Sequence, residues 1–192
     1  MNEMTKATKR RVHVPAFQRY FNGDGIDVGC GNDSLSKWSH LFPAMRSVAP
    51  WDWPQGDAQT LAKVPNNTYD FLHSSHCLEH MREPFEAMHN WIRVVRSGGH
   101  LVVMVPDEDM YEQGVWPSRF NGDHKWTFTV FKPKSWSPKS VNLLDMLKVL
   151  CTTRGVEVER IEVLRDFYLG LKGTDETMGD AECAIEFVLR KL

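Results

Sequence analysis

The chain has 192 residues, of which 42% are hydrophobic and 25% are charged, and these fractions are typical of a soluble globular protein. This length fits a single domain, residues 1–192, that buries a core of its own. With 23 basic and 25 acidic residues the net charge is −2, so no chain-wide field would attract nucleic acid or an anionic membrane.

The four cysteines lie far apart and form no Cys-x-x-Cys pair, which favours reduced thiols in a cytoplasmic protein over a disulfide framework or a structural zinc site. No apolar run approaches the roughly 18 residues that cross a bilayer, and the N-terminus lacks the apolar run of a signal peptide. We interpret the only basic cluster, residues 6–11, as a solvated and poorly ordered N-terminus. We therefore expect a cytoplasmic protein without a membrane or nucleic-acid partner, whose oligomeric state the sequence does not indicate.

The first elements in chain order are a short amphipathic helix at residues 14–21 and a buried strand at residues 26–28. The strand runs into a Gly-x-Gly turn at residues 29–31, where the backbone can approach a ligand closely. Apolar spacing predicts a helix over residues 35–42, with its N-terminal N–H groups beside the turn. Ser34 stands where the dinucleotide fingerprint has its third glycine, which argues against a nicotinamide or flavin site.

A second strand is predicted at residues 46–49, followed by an acidic and aromatic turn. In nucleotide-binding α/β folds an acidic residue at the end of the second strand accepts hydrogen bonds from both ribose hydroxyls, and Asp52 is the candidate here. Trp53 beside it is suited to stacking on an adenine face. A turn aspartate and a core tryptophan are the alternative interpretations of these two residues.

Five features occur in an order that resembles one family. They are Asp27 two positions before Gly-x-Gly, then Gly56-Asp57-Ala58, then a strand from Tyr69-Asp70 into Leu78-Glu79-His80, then a helix entered at Glu83-Pro84, and finally Gly98-Gly99 before an apolar strand that ends at Pro106. Together they resemble the class I S-adenosylmethionine-dependent methyltransferases, and specifically their ubiquinone-biosynthesis-like branch, also called methyltransferase type 11. The resemblance covers about residues 24 to 190.

The resemblance implies an α/β fold with a Rossmann-like doubly wound sheet, mostly parallel with an antiparallel C-terminal edge strand. It implies S-adenosylmethionine as cofactor, with the ribose at Asp52 and the adenine near Asp57, and methyl transfer to oxygen or nitrogen of a small-molecule acceptor. A protein that binds the cofactor without turning it over is the alternative. The full set of expected cofactor-binding residues is Asp27, Gly29, Cys30, Gly31, Asp52, Trp53, Asp57, Ala58, Ser74 and Ser75.

Two features depart from the family pattern. Asp33 stands where many members have a glycine, so the path of the loop around the methionine moiety is not fixed by the resemblance. The interval from Asp52 to Asp57 is also too short for the helix and third strand that usually separate these positions. Either this edge of the sheet is trimmed, or Asp52 does not bind the ribose.

The second half of the chain alternates helices and strands around one long connection. Apolar stripes predict helices over residues 84–95 and from Ser137 or Ser140 to Gly155, and strands at 101–105, 156–164 and 184–189. The connection at residues 106–137 is rich in aromatics, and we interpret it as a substrate lid in which residues 125–131 form a hairpin strand. A satellite core beneath the loop is the alternative role of its aromatics.

A methyl acceptor with a hydroxyl or an amine must lose a proton, and histidine suits that task because its pKa lies near neutrality. His124, which lies in the connection beside Asp123, is the first candidate for the base, with His76 and His80 as rivals. Residues 76–80 also match the H-x-x-E-H pattern of inverted zinc peptidases, which requires a long continuous helix. Because these residues fall at a switch from strand to helix, we expect no metal ligands, and a zinc hydrolase is a further alternative function.

Overall fold

The structure is a computed structural model that describes residues 3–192. Its elements in chain order are α1 (Glu3–Arg11), α2 (Ala16–Tyr20), β1 (Gly23–Val28), a 3₁₀ helix (Leu35–Leu41), β2 (Met45–Trp51), β3 (Tyr69–Ser75), a short 3₁₀ helix (Leu78–His80), α3 (Pro84–Val94), β4 (Val95–Pro106), β5 (Thr127–Thr129), β6 (Ser140–Asn142), α4 (Leu143–Arg154), β7 (Val156–Leu164), another short 3₁₀ helix (Glu176–Met178) and β8 (Ala184–Lys191).

Within the described residues, six strands form one sheet in the order β2-β1-β3-β4-β8-β7. The first four run parallel to one another, and β8 lies antiparallel between β4 and β7. This architecture confirms the expected Rossmann-like, mostly parallel sheet with an antiparallel strand near its C-terminal edge. β2 is an edge strand, so this edge of the sheet lacks the additional helix and strand of the usual family pattern. This is the first of the two explanations given for the short interval between Asp52 and Asp57.

Helices cover both faces of the sheet, which is why β4 is apolar from Leu101 to Pro106. Leu101, Val103 and Val105 pack with α3 and α4 in the larger core cluster. Val102, on the opposite face, packs with α1 and α2 and with the 3₁₀ helix in a second cluster. Successive side chains of a strand point to opposite faces, so one short run of sequence supplies both cores.

The predicted helix ends agree with the structure where capping residues set them. Pro84 occupies the first turn of α3. At α4 the side chain of Asn142 accepts a hydrogen bond from the Leu144 amide at 2.9 Å, so the helix starts later than the sequence predicts. Gly155, with φ of 60°, ends that helix as predicted. None of the described helices is long and apolar enough to cross a membrane.

Three local predictions are wrong. The basic N-terminal cluster lies in helix α1 and is mostly buried, with Lys9 exposed: Lys6 donates to the carbonyls of Thr177 and Ala181 at 2.8 and 2.9 Å, and Arg11 is buried. The helix after the glycine turn is a 3₁₀ helix, and its first N–H groups bond protein side chains instead of facing the groove. Finally, β5 forms no hairpin, since it pairs in parallel with β6, which lies beyond the next turn.

Candidate functional site

A groove with two lobes opens at the carboxyl ends of β1, β2 and β3, which is where ligands bind in open parallel sheets. Gly29 lies on the wall of both lobes and marks their junction. The first lobe has a volume of about 500 Å³ and the second about 420 Å³. The first is lined by the glycine turn, by α1 and by parts of the connections after β4 and β7; the second is lined by residues that follow β2 and β3 and by Asp123 and Lys125 from the connection after β4.

The glycine turn has a conformation that other residues rarely adopt. Gly29 has φ of +72°, and a Cβ on it would lie 2.4 Å from the sulfur of Cys77. Gly31 has φ of +50°, and a Cβ there would meet nothing within 4 Å, so this side of the turn is open to a ligand. The two glycines therefore have different roles. Gly29 lets the end of β1 pack against Cys77 at the start of the connection after β3, and Gly31 leaves space for a ligand.

Asp27 is buried below this turn and holds its shape. One carboxylate oxygen accepts a hydrogen bond from the Leu35 amide at 2.7 Å, and the other is 2.6 Å from Nδ1 of His73. On the far side of that ring, Nε2 lies 3.0 Å from Arg11. A guanidinium only donates, so Nε2 accepts and Nδ1 carries the proton that is donated to Asp27. The turn is thus tied to α1 through a neutral histidine.

The same arginine is part of a buried ion cluster that joins α1 to β8. Arg11 and Arg10 both donate to Glu186, and Arg10 also pairs with Glu182. Burial alone would raise the pKa of Glu186, but the two arginines lower it to about 2. Charges that are fully removed from water require such pairing, because an unpaired buried ion would destabilise the fold.

The second lobe begins at Asp52, directly after β2. Its two carboxylate oxygens accept hydrogen bonds from the Gly31 and Trp53 amides, both at 2.8 Å, which connects the ends of β1 and β2. Trp53 is 82% exposed, so the alternative of a core tryptophan is wrong. Asp57 pairs with Arg82 at 2.7 Å, and this hydrogen bond lowers the pKa of Asp57.

The remaining expected cofactor residues divide between wall and core. Cys30 and Ser75 line the first lobe, and Ala58 lines the second. Burial raises the pKa of the Cys30 thiol. Ser74 is fully buried and donates to the carbonyl of Val28 at 3.0 Å, so the expectation that it lines the wall is wrong. Along a strand alternate side chains face opposite sides, and of these neighbours only Ser75 reaches the groove.

Several wall residues of the first lobe were missed by the sequence analysis. They come from α1 and from the connection after β7, and they are Glu3, Met4, Asp175, Thr177 and Met178, whereas Tyr111, Phe120 and Asn121 belong to the connection that the sequence predicts as a substrate lid. The departure at Asp33 has its explanation here, because its carboxylate accepts from both the amide and the hydroxyl of Thr5 at 3.0 Å. Asp33 thereby fixes α1 over the glycine turn. The amphipathic character of residues 3–11 was the available signal.

The three candidate bases occupy different environments. His76 and His80 line the second lobe, whereas His124 lies beneath the wall, stacked against Tyr111 with ring centroids 5.2 Å apart. Nδ1 of His124 lies 2.8 Å from Glu112, and Nδ1 of His80 lies 3.0 Å from Asp123. Burial lowers the pKa of His76 to about 3, which makes it a weak proton acceptor at neutral pH.

Glu79 lies between His80 and His124. Its side chain is fully buried, and neither carboxylate oxygen has a hydrogen-bond partner among the described residues. Burial raises the pKa of Glu79 well above its usual range. The backbone carbonyl of Glu79 accepts from the amides of Lys125 and Trp126 at 2.8 and 3.2 Å, which positions the connection after β4 against it.

The H-x-x-E-H pattern does not form the helix that a zinc peptidase requires, because Leu78–His80 is a single 3₁₀ turn. The structure does, however, bring Glu79, His80 and His124 into a group whose potential ligand atoms lie within 4.8 Å of one another. His124 thus takes the place that the sequence pattern gave to His76, although more than forty positions separate it from His80.

The comparisons with known proteins agree with this fold and groove. A solved S-adenosylmethionine-dependent methyltransferase from Mesorhizobium loti has a TM-score of 0.60 at 15% identity, with 96% of this chain and 100% of that chain covered. One from Archaeoglobus fulgidus has a TM-score of 0.58 at 17% identity, with coverage of 98% and 94%. The [4+2]-cyclase SpnF shares the fold at a TM-score of 0.54 and 16% identity, with coverage of 95% and 80%, so the fold alone does not determine the reaction.

Sequence comparison supplies what the shared fold leaves open. No curated protein sequence matches the chain. A family model described as a methyltransferase domain matches residues 10–148, a span that contains the glycine turn, both lobes' strand ends and the Glu79–His124 region. The chain therefore belongs to the methyltransferase-domain family, and its cofactor is S-adenosylmethionine.

Proposed function

We propose that the protein transfers a methyl group from S-adenosylmethionine to an oxygen or nitrogen atom of a small-molecule acceptor. The observation that carries this proposal is the junction of the two lobes at Gly29. One lobe ends in an exposed indole and a carboxylate suited to a nucleoside, and the other continues into a separate cavity walled by aromatic and polar side chains. A groove of this kind has room for a cofactor and a second molecule.

The residues present fit the cofactor. Gly31 leaves open space at the turn, and the carboxylate of Asp52 retains lone pairs for ribose hydroxyls after accepting two backbone N–H groups. Trp53 presents an exposed ring on the same lobe for adenine stacking. We propose that Asp57 and Ala58 border the adenine and that Cys30 and Ser75 border the methionine end. Asp27 acts from below by shaping the turn. When bound, the cofactor supplies an electrophilic methyl group on a sulfonium.

We propose that the connection at residues 106–137 forms the acceptor wall. Tyr111, Phe120 and Asn121 from this segment face the first lobe. Aromatic faces with a nearby amide suit a flat or partly apolar acceptor that also carries a polar group. The Leu78-Glu79-His80 turn and the Gly56-Asp57-Ala58 segment support placing the protein in the ubiquinone-biosynthesis-like branch.

The acceptor proton is taken up at the His80–His124 pair. Nδ1 of His124 is bonded to the Glu112 carboxylate and Nδ1 of His80 to the backbone carbonyl of Asp123, so both rings present Nε2 toward the same oxygen of Glu79. An oriented imidazole is what general-base catalysis requires, and such a base typically accelerates transfer by about 10²- to 10⁴-fold. Holding the acceptor in line within a closed groove contributes roughly 7 to 11 kcal/mol.

The test is an acceptor screen with S-adenosylmethionine that carries a labelled methyl group, run on the wild-type protein and on Asp52→Asn. We expect label in one class of hydroxyl or amine acceptors, and a decrease of about 10- to 150-fold in kcat/KM for the variant, since a charge-assisted hydrogen bond contributes roughly 1.5 to 3 kcal/mol. Asp145→Asn, on the exposed face of α4, is the matched control. Cofactor binding without label in any acceptor would favour the non-catalytic binding protein instead.

A further inference from the structure

Three side chains converge at the boundary between the second lobe and the connection after β4. We propose that Glu79, His80 and His124 hold one divalent transition-metal ion, for which Zn²⁺ is the representative. One potential ligand atom from each residue lies within 4.8 Å of the others. Ion binding by this cluster does not depend on the proposed methyl transfer; only the role given to the ion below rests on it.

The two histidines are oriented as metal ligands are. The Glu112 carboxylate accepts from Nδ1 of His124 at 2.8 Å, and the backbone carbonyl of Asp123 accepts from Nδ1 of His80 at 3.2 Å, with the Asp123 carboxylate 3.0 Å from the same nitrogen. With Nδ1 protonated, the lone pair of each ring lies on Nε2, and both Nε2 atoms are 3.9 Å from the same oxygen of Glu79. A carboxylate or a backbone carbonyl behind a ligating imidazole fixes its tautomer and raises its basicity, and such partners are the usual outer shell of a histidine metal site.

Glu79 supplies the independent observation. Its carboxyl group is fully buried, and among the described residues neither oxygen has a hydrogen-bond partner. One oxygen of Glu112, also buried, lacks a partner as well. Burying a polar group without a partner is unfavourable, and buried carboxylates are normally paired or bound to a metal. A divalent ion between Glu79 and the two rings would supply the missing partner of the Glu79 carboxylate. Its charge would also offset the negative charges of Glu79 and Glu112.

The donor set selects the kind of ion. Two imidazoles and one carboxylate suit Zn²⁺, which binds such ligands at about 2.0 to 2.2 Å, whereas Mg²⁺ prefers oxygen ligands. Tetrahedral geometry at those bond lengths places ligand atoms about 3.4 Å apart, so the two 3.9 Å separations need to contract by about half an ångström, and the third, which lies within 4.8 Å, by at most about 1.4 Å. His80 is the ligand best able to move, since its side chain is 23% exposed.

Three protein ligands leave a fourth position open on the ion. His80 lines the second lobe, and Tyr111, which stacks on His124, lines the first, so the cluster lies beside both the cofactor lobe and the acceptor lobe of the proposed function. An acceptor hydroxyl or carboxylate that binds at this fourth position would be fixed beside the cofactor. The ion would lower the pKa of a bound hydroxyl, so that the hydroxyl could release its proton to water nearer neutral pH. In the loaded protein both histidines act as ligands and no longer accept the acceptor's proton. The ion takes over their role by lowering the pKa of the bound hydroxyl.

The test is calorimetric titration of Zn²⁺ alone into tag-free protein that has been dialysed against a chelator, with bound metal counted by elemental analysis. We expect one Zn²⁺ per chain in the wild type and in His40→Asn, whose exposed histidine lies outside the cluster. Glu79→Gln, His80→Asn and His124→Asn are expected to lose at least 100-fold in affinity. Glu112→Gln is expected to lose about 10- to 100-fold, since it removes only the outer partner of His124.

Zinc affinity that is the same in the wild type and the three ligand variants, or tighter Mg²⁺ than Zn²⁺ binding, would overturn the inference. Titration of S-adenosylhomocysteine into the same samples shows that each variant is folded and separates the two proposals. Cofactor binding without stoichiometric zinc would overturn the metal site and leave methyl transfer standing. Zinc binding without cofactor binding would do the reverse.

Discussion

The two sides of the groove are built in different ways. The proposed cofactor side consists of backbone at the ends of adjacent parallel strands, where Gly29, Gly31 and Asp52 lie close together because β1 and β2 are paired. The proposed acceptor side consists mainly of side chains from α1 and from the connections after β4 and β7. The cofactor side thus depends on the local shape of one turn, and the acceptor side depends on long-range contacts that hold separate segments in place.

The largest effect is expected from a methyl group at the glycine turn. In Gly29→Ala the new Cβ would meet the Cys77 side chain at 2.4 Å, and neither that rigid side chain nor the strand end can yield without moving the turn. We expect S-adenosylhomocysteine affinity to fall by at least 100-fold in calorimetric titration. The matched control is Gly155→Ala, which has a similar φ of +60° and open space around its Cβ but lies at the end of α4. It should destabilise the fold by about 1 kcal/mol and leave affinity unchanged.

Breaking the buried ion cluster that holds α1 against β8 should lower the stability of the fold. Arg11→Met leaves Glu186 buried with one arginine fewer, and removing one partner of a buried ion pair costs about 3 to 5 kcal/mol. For a chain of this length the unfolding midpoint should fall by roughly 6 to 20 °C in a thermal scan. Arg190→Met removes an exposed ion pair with Glu157 and should change stability by less than about 1 kcal/mol. Equal midpoints for the two variants would show that the buried cluster does not support the fold.

The same cluster makes the free energy of unfolding depend on pH in the acidic range. The pKa of Glu186 is about 2 in the folded chain and about 4.5 when unfolded, so its ionised form stabilises the fold above pH 4.5. That contribution, roughly 3 kcal/mol, is lost as pH falls from about 4.5 to about 2. In urea unfolding the difference between wild type and Glu186→Gln should therefore shrink over this interval. A difference that is constant from pH 5 to pH 2 would contradict the pairing.

The smallest effect is expected at the outer end of the cofactor side. Trp53 is 82% exposed, so Trp53→Ala should leave the unfolding midpoint of the free protein unchanged. Loss of a stacking partner should weaken S-adenosylhomocysteine binding by about five-fold, corresponding to about 1 kcal/mol. Leu169→Ala, which removes another exposed apolar side chain outside both lobes, serves as the control. An unchanged affinity in the tryptophan variant would remove it from the proposed cofactor site.

This difference in construction also explains which features the sequence could predict. Asp27, Gly29 and Asp52 fall within two neighbouring strand–turn units, and strand and turn patterns are local, so this side of the groove was expected from the residues themselves. Glu3 and Asp175 line the first lobe because segments from opposite ends of the chain pack together there. The spacing of apolar residues predicts local helices and strands but not which distant segments pack together.

Individual errors have the same origin. The sequence puts His124 in the connection after β4, but it does not show the backbone hydrogen bonds, across more than forty positions, that hold this connection against Glu79. Ser74 and Ser75 could not be separated without knowing which face of β3 meets the groove. The basic residues 6–11 were expected in solvent because their acceptors, including Glu186, lie at the other end of the chain. Charge patterns show where ions are needed and do not identify distant partners.

The most direct test of the cofactor assignment is the thermal unfolding of the wild-type protein with S-adenosylhomocysteine, with zinc and with NADH in separate samples. S-adenosylhomocysteine at about 100 times its dissociation constant should add roughly 2.7 kcal/mol and raise the midpoint by about 5 to 10 °C, while NADH should have no effect. A midpoint that rises with NADH and stays unchanged with S-adenosylhomocysteine would contradict the assignment of the glycine turn to S-adenosylmethionine.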